Sequence, residues 1–199
     1  MPAPTVKQAS PTGTALYTDH NMDTRFHTDP GGSDSVDAML GQWRGQWPQL
    51  DVSSGAVIGR VLRAARLTEE LMEEGLRRQE GRSIANLGDL DVLLALRRTG
   101  PPFVLTPGQL MGSLIVSSAG LSGRLKRLER AGWINRTASP DDRRSSRVSL
   151  AEDALPELDR RVEAYFALER NLVSVLEAEE QDAVAGALRK LLVRLETAP

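Results

Sequence analysis

The chain has 199 residues, 40% of them apolar, no cysteine and a formal net charge of −2, which suits one domain of ordinary size plus an extension. The lack of cysteine excludes disulfides, thiolate nucleophiles and Cys-based metal sites. No apolar run approaches the roughly 18–20 residues of a membrane span, and the N-terminus lacks the charged-then-apolar pattern of a secretory signal, so a cytoplasmic protein with no membrane partner is expected.

Residues 1–34 are rich in Pro, Gly, Ser, Thr and Asp, show little periodicity and read as a disordered tail. Both histidines, His20 and His27, lie in it, and a bland tail explains them more simply than a metal or catalytic role. Ser35 can cap a short helix in which Val36, Met39, Leu40 and Trp43 share one face, and Pro48 ends it. A long helix is expected over 53–79. Val57, Val61, Ala64 (or Ala65), Leu67 and Leu71 form its stripe, with Ile58, Leu62 and Met72 beside it. Glu69, Glu70, Glu73 and Glu74 precede Arg77 and Arg78, giving a solvated, self-paired face. Gly81 and Asn86 mark its exit. Leu87–Thr99 reads as a third helix, with Leu90, Leu93, Leu94 and Leu96 apolar and Asp91 within it, before Gly100-Pro101-Pro102 forces a turn.

Residues 106–150 read as helix, turn, helix and a basic hairpin. Thr106 is a good N-cap and Pro107 suits the first helical position, where a missing N–H costs nothing. Ser117 or Ser118 caps a second helix with Leu121, Leu125 and Leu128 at helical spacing, and Gly132 stops it. Two strand-like runs, Trp133–Thr137 and Arg147–Leu150, flank the turn residues SPDDRRSS. Between Ser117 and Leu150 stand eight cations (Arg124, Lys126, Arg127, Arg130, Arg136, Arg143, Arg144, Arg147) against Glu129, Asp141 and Asp142, a net +5 on a chain of net −2. A basic patch on an otherwise acidic molecule points that face at polyphosphate. A helix-turn-helix places its second helix in the DNA major groove, and an adjoining hairpin reaches a neighbouring groove.

Asp153 can cap the next helix, with Pro156 still in its first turn. Leu158, Val162, Tyr165, Phe166, Leu172, Val173 and Leu176 supply its apolar surface. A last helix, about Glu179–Thr197, carries Val184, Leu188, Leu191, Leu192 and Leu195. The long helices have more apolar face than one small winged domain can cover, and such helices commonly pack against a two-fold copy.

This order of elements resembles the MarR family of bacterial transcription regulators. The sharpest match is the wing. Asp142-Arg143-Arg144, followed by Ser145 through Leu150, looks like that family's D-x-R-x₅-L-T signature, with Ala151 where Thr is usual. Leu125–Gly132 resembles the end of its recognition helix. The resemblance covers about Trp43 to Glu196. It implies a mainly α fold with a small β-hairpin wing, namely a winged helix-turn-helix over about 87–151 and a helical dimerisation region from about 35–80 and 152–197. W-x₄-P-x-L-D at Trp43–Asp51, then Leu90–Pro107, is similar to the family's urate-responsive HucR/PecS-like subgroup. By that resemblance Trp43, Asp91 and Arg124 line an effector pocket between the dimer helices and the DNA-binding lobe.

A carboxylate and a guanidinium in a partly closed pocket hold one another, and a planar anion can compete for the Arg through two parallel hydrogen bonds. A Trp ring offers a face to a flat heterocycle. The same residues also fit an ordinary interhelical salt bridge and a core aromatic. The expected protein is a homodimeric repressor that needs no cofactor, binds a pseudo-palindromic double-stranded operator and is released by urate or a related purine. A phenolic or other carboxylate effector is the rival ligand. Ser117, Ser118, Gly120, Leu121 and Ser122 face the bases, with Leu121 alternatively in the core. Lys126 and Arg127 touch phosphate, which positions without specifying. Arg143 or Arg144, with Arg147 behind them, suits a narrow minor groove, and Asp142 holds one wing arginine. An enzyme is disfavoured, since cysteine, a histidine in the folded part and a Gly-rich phosphate loop are all lacking. A helical module binding protein instead of DNA is the remaining alternative, and a flat salt response would mark it.

Overall fold

The computed structural model describes residues 32–115, 119–138 and 146–197. Its elements are α1 (Ser35–Gln46), α2 (Gly55–Arg77), α3 (Leu87–Arg98), β1 (Val104–Leu105), α4 (Pro107–Ser113), α5 (Leu121–Arg130), β2 (Ile134–Ala138), β3 (Ser146–Leu150), a 3₁₀ turn (Glu152–Ala154), α6 (Leu155–Val173) and α7 (Ala178–Glu196). The fold is mainly α with a small antiparallel sheet, as expected, and no helix of the described residues is long and apolar enough to cross a membrane. Most of the predicted tail, with His20 and His27, lies outside the described residues.

Capping chemistry explains most helix starts. Asp34 caps α1, not Ser35. Its carboxylate accepts the Val36 and Asp37 amides, Asp37 reciprocates, and Arg60 of α2 binds both acids at 2.8 Å. Thr106 caps α4 in a capping box with Gln109, and Pro107 follows at the first helical position. Asp153 does not cap α6. A 3₁₀ turn intervenes, and Asp153 binds Arg82 at 2.7 Å instead. Gly120, left-handed at φ 71°, stands at the start of α5, so that helix begins later than Ser117 or Ser118, which lie outside the described residues.

The wing is three-stranded, not a lone hairpin. β3 lies in the centre, pairing β2 from Ile134↔Leu150 to Ala138↔Ser146 and β1 at Val104↔Ser149 and Leu105↔Val148. β1 escapes a sequence reading because two residues carry no period.

The core fills the lobe built by α3, α4, α5 and the sheet, called the reading lobe for the helix-turn-helix expected there. Leu90, Val92, Leu93 and Leu96 of α3 meet Leu110, Leu125, Leu128, Trp133, Ile134 and Val148. Leu76 at the end of α2 and Leu158 at the start of α6 close it. The rest of the helical frame is less covered. Val36 and Leu40 of α1 are buried against Gly55 and Gly59 of α2, where a Cβ would come within 3.0 Å. Yet Val57, Ile58 and Leu62 of α2 and Val184, Leu188, Leu192 and Leu195 of α7 are exposed, and no residue of α7 is buried.

Candidate DNA-binding and effector site

Helix α5 is amphipathic by sequence. Leu121, Leu125 and Leu128 point into the lobe, and Ser122, Lys126 and Arg130 point out. Leu121, only 7% exposed, belongs to the core, which corrects its placement against bases. A leucine at the first helical position contributes more by burial than it could at a wet groove floor. Gly120 and Ser122 are exposed, while Ser117 and Ser118 lie outside the described residues.

Arg127, expected to touch phosphate, has an internal partner. Its Nε and Nη2 donate to the two oxygens of Asp89 at 3.0 and 2.7 Å, a bidentate clamp between α5 and α3. Asp89 is 1% exposed, and this bond holds the Arg127 guanidinium above its ordinary pKa. A buried carboxylate must be paired, so Arg127 ties α5 to α3, while Lys126 is exposed. Asp89 was not singled out by sequence. Its one signal is its place in the first turn of α3, three residues after Asn86, whose side chain accepts its amide.

Arg147 is exposed on β3 opposite Thr137. Asp142, Arg143 and Arg144 fall outside the described residues.

Of the three predicted effector residues, Arg124 lies at the α3–α5 junction and Asp91 lies on α3 facing the end of α4. Arg124 packs its guanidinium against Gly88, where an added Cβ would lie 2.4 Å from Cζ. Asp91 stands almost one helical turn beyond Gly88 and is buried. Its Oδ2 accepts the Ile115 amide at 2.7 Å, and its Oδ1 lies 3.9 Å from Nη1 of Arg98. Arg98 in turn donates to the Ser113 carbonyl. Asp91 therefore also holds the end of α4, and so the first helix of the helix-turn-helix, to α3. Tyr165 of α6 is half-buried; burial pushes its phenol up, helped by a bond to Glu169 and by the charges of Glu169 and Asp91. Trp43 stands apart, on α1, with nearly half its surface exposed.

A second polar cluster lies behind α5. Trp133, the first residue past the Gly132 stop, donates from its indole nitrogen to the Ser83 carbonyl at 2.9 Å. The guanidinium carbons of Arg82 and Arg161 sit 5.7 and 5.3 Å from its ring centroid. Glu157 accepts from both arginines. Burial raises the Glu157 carboxyl, but the bonds from Arg161 and from the amide and side chain of Arg82 outweigh it and hold the group below its usual range.

Comparison with known proteins gives a consistent picture. A sequence model of the MarR family matches residues 86–145. The HTH-type transcriptional regulator PecS of Dickeya dadantii (strain 3937) is 32% identical over 161 residues, covering 81% of this chain and 92% of that one. The DNA-bound structure of Sco3205, a MarR family transcriptional regulator from Streptomyces coelicolor, superposes with a TM-score of 0.65 at 22% identity, over 75% of this chain and 94% of the other. Bordetella bronchiseptica BpsR, whose DNA binding is regulated by 6-hydroxynicotinic acid, gives a TM-score of 0.56 at 22% identity, over 67% of this chain and 97% of its own.

Proposed function

Because the chain belongs to the MarR family and is a DNA-binding transcriptional regulator, not an enzyme, we propose that it works as a homodimeric repressor released from its operator by a small planar anion, with urate or a related purine as the leading effector. Each α5 enters a major groove, and two copies meet half-sites about one helical turn apart on a pseudo-palindromic site. Ser117, Ser118, Gly120 and Ser122 approach the bases, Lys126 touches phosphate, and Arg143, Arg144 and Arg147 serve the minor groove beside it, with Asp142 steadying the wing.

The observation that carries the effector reading is the seat of Arg124. Its guanidinium rests on the first turn of α3, while its backbone belongs to the recognition helix. A planar anion taking that fork through two hydrogen bonds moves α5 with it. Asp91 supports the same coupling, since its carboxylate, on the helix that seats Arg124, anchors the end of α4. Trp43 joins the pocket when a second copy covers α1, offering a ring face to the heterocycle. The ligand lowers DNA occupancy by the ratio of its affinities for the two forms of the dimer.

A band-shift titration on the duplex upstream of the gene tests this reading. Urate, a phenolic acid and 6-hydroxynicotinic acid are compared on the wild type, Asp91→Ala and Arg124→Ala. Urate is expected to release the wild type at the lowest concentration and to lose its effect on both variants. Unchanged release from both removes the pocket assignment. Affinity that ignores added salt would instead favour a protein partner.

A further inference from the structure

We propose that Arg161 is a positioning residue for DNA reading, acting through Trp133 to set the tilt of the recognition helix against α6 and thereby the half-site spacing the dimer accepts; this rests on the dimeric DNA-binding reading above. Arg161 is only 5% exposed. It donates to Gln79 Oε1 at 3.2 Å, to the carbonyls of Glu80 and Arg82 at 2.9 and 2.7 Å, and to Glu157 at 2.9 Å. A buried guanidinium with this many fixed acceptors tolerates one geometry only.

The elements it joins are the ones that must be held at a fixed angle. Trp133 follows α5 just past Gly132, and its amide closes on the Leu128 carbonyl at 2.9 Å. Its carbonyl accepts the Ala151 amide at the base of the wing, and its indole holds the loop between α2 and α3 through Ser83. Arg161 presses on that ring from α6, the helix that leaves the lobe toward the exposed apolar frame. Cation–π contact ties charge to ring position. Gly81 shows how close the fit is: at φ 103°, a Cβ there would lie 2.3 Å from Glu157 Oε1. Glu157 and Arg161, one helical turn apart at the start of α6, grip the lobe from this side, with Asp153 of the preceding 3₁₀ turn bound to Arg82. Arg97 grips Asp159 from another at 2.6 Å.

The test uses the full-length protein and duplexes that it selects from a randomised pool. Each selected site is also cut to a single half and remade with one base pair added or removed between halves. Arg161→Lys keeps the charge but loses the fork, and Trp133→Phe keeps a ring but loses the N–H to Ser83. Both variants are expected to stay dimeric and to bind the single half within about twofold of the wild type, but to bind the two-half duplex about tenfold more weakly, because the reading helices are no longer pre-aligned. Their preference for the natural spacer over the altered ones is expected to narrow. Equal weakening on half and full sites, or a spacer preference unchanged in both variants, overturns the proposal. If Arg161→Lys fails to fold, Arg82→Gln, at the more exposed side of the cluster, carries the same comparison. A wild-type protein that enriches no duplex, or only single halves, overturns the dimeric reading itself and this inference with it.

Discussion

Neighbouring cations on α5 differ in their partners, and substitution separates them. Arg127 is bound to a buried carboxylate. Arg127→Ala leaves Asp89 without its charged partner, so we expect a loss of about 2–3 kcal/mol, read as a fall in Tm. Lys126 is exposed one residue away. Lys126→Ala should leave Tm unchanged and reduce the slope of log affinity against log salt by about 0.9, one phosphate contact. Gly88→Ala should fold, since only the far end of the Arg124 side chain must yield. Its expected effect is a shifted urate response in the band-shift assay, as the guanidinium loses its seat on α3. Basic character was plain from the sequence, but the division of labour was not. Arg127 and Lys126 look alike on paper, and only the position of Asp89 tells them apart.

At the level of elements, α6 is held by charged contacts along its first two turns. Bonds from Arg97 depress the Asp159 carboxyl, and those from Arg161 and Arg82 depress Glu157 despite burial. On acidification the unfolded chain therefore takes up protons first, beginning near the ordinary glutamate value of 4.5. Stability from these groups is complete above that pH and is lost as pH falls through the lower folded values. Tm measured from about pH 6 to about pH 3 should fall steeply for the wild type and less steeply for Glu157→Gln. Helix positions were legible because apolar spacing and caps are local signals, as Thr106-Pro107 and Gly132 show. The failures were also local. Ser35 and Asp153 are good capping residues, but Asp34 had Arg60 to bind and Asp153 had Arg82, partners supplied by distant segments.

Across the molecule, apolar surface is divided unevenly. The reading lobe is well buried, while α7 exposes Val184, Leu188, Leu192 and Leu195 along one side and α1 exposes Met39 and Trp43. Exposed apolar stripes of this kind are a common mark of interaction sites, and a second copy is the occupant proposed above. Leu188→Glu and Leu192→Glu together are expected to halve the mass measured by light scattering. They should also weaken binding to the two-half duplex by roughly tenfold or more, since the second half-site is no longer tethered. An unchanged mass would count against dimerisation through α7.

Read one residue at a time, the chain discloses its periodic helices, its basic turn-rich segment and its family, because these depend on residue types at short spacing. Folding alone decides which charges are spent internally. It paired Arg127 with Asp89, seated Arg124 on Gly88 and drew Arg161 beneath Trp133. Those partners lie tens of residues apart, and a guanidinium's role is set by the carboxylate or ring that the fold delivers to it, a distance that no local pattern encodes.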